Sequence, residues 1–218
     1  MWNKEDRLIC EEEYADDFVI RIYADDSPES PREWDNVGKL CCFHSRMNFP
    51  NEGNITIEEA KEIEADKSGK YICLPVYGFN HGMFAVSTEP FSCPWDSGKL
   101  GIIYIEVKEG LKRMWGDKAK RLSKKRREQI LECMKHEIET YNQWLIGDIC
   151  GFEAYHIIKD DEGCDNGDEE FVDSCWGFYD EKDAISEAKS AIDYFIEKRL
   201  PLFKDQLEKD FVNEKETV

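Results

Sequence analysis

Hydrophobic and polar positions change their spacing several times along this chain, and each change marks an element. Phe18, Ile20 and Ile22 alternate with Val19, Arg21 and Tyr23, the period of two expected of a half-buried strand. After a loop holding Pro28 and Pro31, Val37-Gly-Lys-Leu-Cys-Cys-Phe43 reads as a second strand with His44 at its end. Thr56 followed three residues later by Glu59 forms a capping box, so a helix starts there, runs to Asp66 and stops at Lys67-Ser-Gly-Lys70. Residues 71–79 and 83–88 flank Asn80-His-Gly82 as a hairpin in which Gly82 supplies a positive backbone angle. Pro75 sets the first of these strands on an edge or makes it start late. Residues 100–106 form the next strand, so sequential strands pair as an antiparallel meander.

The period then lengthens. Ser123 caps a long helix whose Ile130, Met134, Ile138, Tyr141 and Leu145 recur at helical spacing, and Gly147 ends it. Residues 151–158 alternate again, with Phe152, Ala154, His156 and Ile158 on one face; 160–170 is an acidic, glycine-containing turn, and 171–178 returns as a strand. Asp180 and Asp183 open a helix with apolar Ile185, Ala188, Ile192 and Phe195, which Pro201 breaks. A last amphipathic piece carries Leu202, Phe203, Leu207 and Phe211. The pattern predicts an α+β fold, an antiparallel sheet of meander and hairpins with two or three helices packed on one face. It divides the chain into an acidic N-terminal segment (1–17), a single α+β domain (18–200) and an amphipathic C-terminal tail (201–218).

Composition narrows the classes. At 218 residues, 41% hydrophobic and 12% aromatic, the chain can bury a full-sized core. A net charge of −19 argues against direct nucleic-acid binding, which needs clustered cations, and favours basic partners; the plain alternative is that acidity only keeps the protein soluble. Nine cysteines, an odd number with no Cys-x-x-Cys, follow an N-terminus without an apolar signal core, so reduced thiols in the cytoplasm are expected. No apolar run is long enough to span a membrane.

Candidate chemistry centres on two unusual runs, Phe91-Ser-Cys-Pro-Trp-Asp-Ser-Gly98 and Asp173-Ser-Cys-Trp-Gly-Phe-Tyr179, which share Ser-Cys and Trp and read as the paired centre of one fold. Cys93 with His81 or His44 and with Asp96 would make a thiol nucleophile, its base and an orienting carboxylate, although buried, inert cysteine is the commoner case. Cys93, Cys175, His81 and His156 are too scattered for a structural zinc site, and no metal or cofactor is expected. The acidic turn fails as a calcium loop, because setting Gly167 at the sixth position puts Cys164 at the third; a hairpin tip turning at Asn166-Gly167 fits better. Trp95 and Trp176, with Cys93 and Cys175, read as structural core residues; exposed, the two tryptophans would be interface anchors. The basic stretch 108–127 carries Lys112, Arg113, Lys118, Lys120, Arg121, Lys124, Lys125, Arg126 and Arg127. It could touch nucleic acid, but no interleaved aromatics support base stacking, and it reads more readily as a solvated helix face that can pair with acidic segments of this chain or of a second copy, compatible with a homodimer.

Glu33-Trp-Asp-Asn-Val-Gly38, Cys42-Phe-His44 and the two runs above resemble the marks of a family of small uncharacterised proteins carried by bacteriophages and mobile elements of Gram-positive bacteria. The resemblance spans roughly residues 18–196. It brings no catalytic residues with it. It implies a setting, the cytoplasm of an infected cell, and in that setting a phage accessory protein that binds host nucleic-acid-handling machinery stoichiometrically. Such a counter-defence inhibitor, similar to anti-restriction and anti-CRISPR proteins, would lay carboxylates at phosphate-like spacing in a host protein's basic groove. The expected contacts are Glu11, Glu12, Glu13, Asp16, Asp17, Asp25 and Asp26, together with Asp160, Asp161, Glu162, Asp165, Asp168, Glu169 and Glu170. The rival expectation is a cysteine-dependent enzyme built on Cys93, acting on a nucleotide signal or a thioester. A structural role in the phage particle is a third.

Overall fold

The first strand of the chain lies ahead of any that the alternation marks: β1 (Leu8–Tyr14) pairs antiparallel with β2 (Phe18–Ala24) through a turn at Ala15 and Asp16, both with positive φ. The computed structural model describes residues 7–43, 49–53, 55–160 and 165–199. These fall into two compact units, one built from the chain up to Pro28 together with the chain from Gly147 on, the other from Glu29–Ile146. The expected strands are therefore shared between two antiparallel sheets, and the α+β class holds in both units.

In the middle unit, β3 (Lys39–Cys42), β4 (Tyr71–Asn80), β5 (Phe84–Ser87) and β6 (Ser97–Glu106) form a sheet in the order β3-β6-β4-β5. Alternation along β6 divides its side chains between two layers. Ile103 and Ile105 face α3 (Lys124–Ile146), where Ile130, Met134, Ile138 and Tyr141 complete the core. Ile102 and Tyr104 face α1 (Ile57–Glu64) with its Ala60 and Ile63. Helices thus cover both faces of this sheet, not one. Each fully buried Ile or Met contributes about 1.5–3 kcal/mol. The capping box of α1 is formed in full, Thr56 and Glu59 each accepting from the other's backbone amide, and Asp66 already caps the following turn at Ser68 and Lys70. A further helix, α2 (Val107–Trp115), continues directly from β6.

Pro75 is tolerated because β4, although internal, contacts β5 only from Tyr77 onward. Gly101 marks the tightest approach in this sheet: a Cβ there would lie 1.9 Å from the Cys41 carbonyl oxygen on β3.

Arg32 anchors the start of the same unit. Its side chain, 5% exposed, forks onto Glu52 at 2.7 Å through both Nε and Nη2, reaches Glu137 of α3 at 3.3 Å, and donates to the Gly38 carbonyl at 2.8 Å. Glu137 in turn accepts from the amides of Val37 and Gly38, and Glu52 from that of Leu40.

The other unit has the order β1-β2-β7-β8, with β7 (Cys150–Lys159) and β8 (Asp165–Phe178). β2 and β7 are neighbours although the whole middle unit separates them in sequence. The expected face of Phe18, Ile20, Ile22, Phe152 and Ala154 packs on α4 (Glu181–Tyr194), against Ala184, Ala188 and Ile192, with Phe195 following at the start of a π-helical turn. Asp180 caps α4 by accepting from the Lys182 amide. The β7–β8 turn does not fall at Asn166-Gly167, because β8 has begun by Asp165; Gly167, with φ of 83°, sits instead at a bulge where the register slips between Ile158 and Lys159. The tail 201–218 lies outside the described residues.

Candidate functional site

Asp96 is where the sequence candidates of the middle unit meet. The turn Cys93-Pro-Trp-Asp96 leads into β6, and Ser97 Oγ donates to the Cys93 carbonyl across it. The Asn80 amide donates to the Asp96 carbonyl at 2.9 Å, which ties the end of β4 to this turn. His81 Nδ1 is therefore 3.0 Å from Asp96 Oδ2, and Cys93 Sγ donates to the same oxygen at 3.5 Å. The ring of His81 stacks on Phe79 with centroids 6.3 Å apart. His44, the other candidate imidazole, lies outside the described residues.

The order of these groups matters for their chemistry. Activating a thiol requires an imidazole that takes its proton and then stands beside the thiolate as a cation. Here the carboxylate sits between sulfur and imidazole, so the thiol faces an anion and the imidazole is held by the same anion. With 74% of its side chain exposed, His81 is also open to water. An open cleft of about 340 Å³ adjoins the turn, lined by Gly78, Asn80, Trp95, Asp96, Lys99 and Leu100 among others.

Trp95 is not a core residue. It is 91% exposed, in a turn whose hydrogen bonds join Cys93 to Asp96 and Ser97 and leave the indole in solvent. Trp176 is also not fully buried: it is 40% exposed, on β8, with its ring against the bare backbone of Gly151 and tilted toward Tyr23 at 6.4 Å. Cys175 beside it is exposed. The two Ser-Cys and Trp runs belong to different units and share no core cluster. His156 is a packing residue, stacked on Phe18 at 4.8 Å. Among the described residues, no three His, Cys, Asp or Glu side chains are grouped to hold a metal ion, and no helix is long and apolar enough to cross a membrane.

The acidic candidates all lie in the unit that carries both chain ends. β1 is an edge strand, and its carboxylates meet cations of the same unit: Glu11 bonds Arg21 at 2.6 Å and Glu12 reaches Lys189 of α4 at 2.6 Å. Asp17 pairs with Lys159, and Asp26 with Arg7 at 2.7 Å. Glu169 takes both terminal nitrogens of Arg21, at 2.6 and 2.5 Å, and the guanidinium holds its carboxyl below the usual range. Asp25 accepts from the Ser27 amide, and Glu170 lies 3.7 Å from His156. Glu13, Asp16, Asp160 and Asp168 are exposed. Asp165 is the first residue of β8, while Asp161 and Glu162 lie outside the described residues.

Pairing does not neutralise this unit. Residues 29–146 hold 18 basic and 18 acidic side chains, whereas the remainder holds 11 basic and 30 acidic, so the entire net charge of −19 belongs to one unit. The composition of the whole chain hides this segregation, which becomes visible only once the unit boundary at Pro28 and Gly147 is known. Periodicity likewise missed the Arg32 cluster, because its carboxylates are distant in sequence and carry no spacing signal. Compared with known proteins, the chain is matched by no protein-family model, by no curated protein and by no solved structure.

Proposed function

We propose that this protein acts by stoichiometric binding, its acidic unit occupying the basic nucleic-acid-binding surface of another protein. The segregated charge carries the reading: an excess of 19 carboxylates on one unit makes a polyanion, while the charge-balanced unit adds nothing to it. Arg and Lys side chains that grip phosphates would meet carboxylates such as Glu13 and Asp16, which are exposed. The resemblance to phage and mobile-element proteins supports a target in host nucleic-acid handling and a counter-defence role of the anti-restriction or anti-CRISPR kind, in the cytoplasm. A pull-down of the tagged protein from host lysate, with nuclease and at low and high salt, tests it. A stoichiometric nucleic-acid-handling protein retained after nuclease and released by salt is the expected result. A complex indifferent to salt sinks the mimicry, because contacts between charged surfaces are screened.

One observation favours a second reading. Cys93, His81 and Asp96, the three groups a thiol enzyme acting on a nucleotide signal or a thioester would use, do gather beside a cleft, with Asp96 between the thiol and the imidazole. Replacing Cys93 by Ser separates the two: the inhibitor keeps its effect, the enzyme loses it.

A further inference from the structure

A charge-balanced unit need not be evenly charged. In the middle unit, residues 108–127 hold ten basic side chains and two acidic ones, so cations concentrate on the end of α2, the link to α3 and the first turn of α3. Lys118, Lys120, Arg121, Lys125 and Arg127 are exposed and make no ion pair among the described residues, and Lys124 reaches Glu128 only at 3.9 Å. The link is held in place. Arg126 lies over the Trp115 ring at 5.3 Å and donates to the Arg121 carbonyl at 2.9 Å, and Ser123 caps the helix through the Arg126 amide.

This arrangement works against the helix that carries it. A helix N-terminus is the positive end of the macrodipole and is stabilised by acidic side chains, yet the first turn of α3 has none and opens with Lys124-Lys-Arg-Arg127. Helix stability therefore does not account for the cluster. An external polyanion would relieve it.

We propose that this strip binds the sugar–phosphate backbone of a nucleic-acid duplex, without reading its bases. The argument from −19 against nucleic-acid binding applies to the chain as a whole, and that charge sits on the other unit. Trp115 and Leu122 are partly buried against the core, leaving the strip no apolar anchors for a membrane surface and no free ring for base stacking. A duplex is favoured over a second copy of this chain on energetic grounds. Glu11, Glu12, Asp17, Asp26 and Glu169 already face cations of their own unit, so a second copy offers the strip only the carboxylates left over, such as Glu13 and Asp16, whereas a duplex offers an unbroken row of phosphates. Phosphates surrender only condensed counterions, with a gain in entropy.

Fluorescence anisotropy of a labelled DNA duplex titrated with the full chain tests this. Binding with a Kd on the order of 10⁻⁵ M at physiological salt is expected, with log affinity falling against log salt at a slope of about −3 to −4 if some four cations meet phosphates. The double variant Lys124→Glu with Lys125→Glu should bind roughly tenfold more weakly with a slope shallower by about 2, while its Tm holds or rises because acids suit that end of the helix. The unchanged or higher Tm separates lost contact from lost fold. No anisotropy change at about 50 mM salt, or full affinity in the double variant, overturns the proposal. So does a duplex-free protein whose salt-sensitive oligomers the same variant dissolves, which would assign the strip to a second copy's acidic unit. Equal binding of this strip to anionic lipid vesicles also overturns it.

Discussion

Replacing Arg32 by Met should weaken the middle unit more than any other single change to a charged residue in it. The guanidinium makes five side-chain hydrogen bonds, to Glu52 twice, to Glu137, to Asn36 and to the Gly38 carbonyl. Removing it leaves two carboxylates facing one another, with Glu52 25% and Glu137 12% exposed. Breaking one side of a buried ion pair costs about 3–5 kcal/mol; the partial exposure of Glu52, and the amides of Val37, Gly38 and Leu40 that still serve both carboxylates, put the expected loss near the lower end, about 3 kcal/mol. With a urea slope of roughly 1.5 kcal/mol per molar, the midpoint should fall by about 2 M. Urea titration followed by tryptophan fluorescence reads this directly, since Trp34, Trp115 and Trp144 lie in the unit. Arg32→Lys should lose roughly half as much, since an ammonium keeps the charge but not the fork. Replacing Arg32, Glu52 and Glu137 together by apolar residues should recover only part of the loss, because those three amides would then be orphaned. A midpoint within about 0.3 M of wild type for Arg32→Met would refute the reasoning, since the cluster would then be no more than a surface ion pair.

Gly101→Ala should destabilise the middle unit by about 1–3 kcal/mol, because the new methyl group meets the Cys41 carbonyl and β3 must move away; a midpoint unchanged in the same titration would count against that packing. Acid should weaken the fold. Arg21 lowers Glu169, and Lys39 with Arg113 lowers Glu109 against the upward push of its burial. Their folded values lie below the unfolded value of 4.5, so the stability they add is present above that pH and is lost as pH falls through the lowered values. In thermal melts from pH 6 down to about 3, Glu169→Gln should show a flatter fall in Tm than the parent, and identical pH profiles would contradict the assignment. Thiol labelling at about pH 8 should modify exposed Cys175 well before Cys150, since burial together with Glu181 and nearby aspartates pushes the Cys150 thiol up to about 11; early mass gain at Cys150 would refute this.

Much of the fold was legible because alternation and helical stripes record burial directly. Phe18, Ile20 and Ile22, the Ile130 to Tyr141 stripe and the Thr56 capping box all take the places their spacing predicts. β1 carries no such signal, because an edge strand, open to water along one side, can hold Glu11, Glu12 and Glu13 in succession and so lacks an apolar alternation. The division into two sheets was illegible for a different reason: strand pairing is non-local, and no pattern within β2 says that its neighbour is β7 and not β3. Of the candidate site, Cys93, His81 and Asp96 do meet, yet their order around the carboxylate depends on a turn geometry that composition does not encode. Trp95 shows the same limit in reverse, since a large aromatic residue signals burial only when the backbone aims it inward.

The pairing of β2 with β7 also dictates a timetable. The middle unit is continuous in sequence and has every strand and helix it needs once the ribosome has passed Ile146, whereas the outer unit must hold β1 and β2 unfinished until β7, β8 and α4 have emerged. At about 5–20 residues per second, that is a wait of many seconds for a hairpin too small to be stable alone. Folding of the middle unit eases the closure that follows the wait. Asp25 and Ile149, on either side of the insertion, are joined by a backbone hydrogen bond of 2.8 Å, so a folded insert brings the two halves of the outer sheet within reach and removes most of the chain entropy of closing so long a loop. The nascent protein is thus assembled from its centre outward.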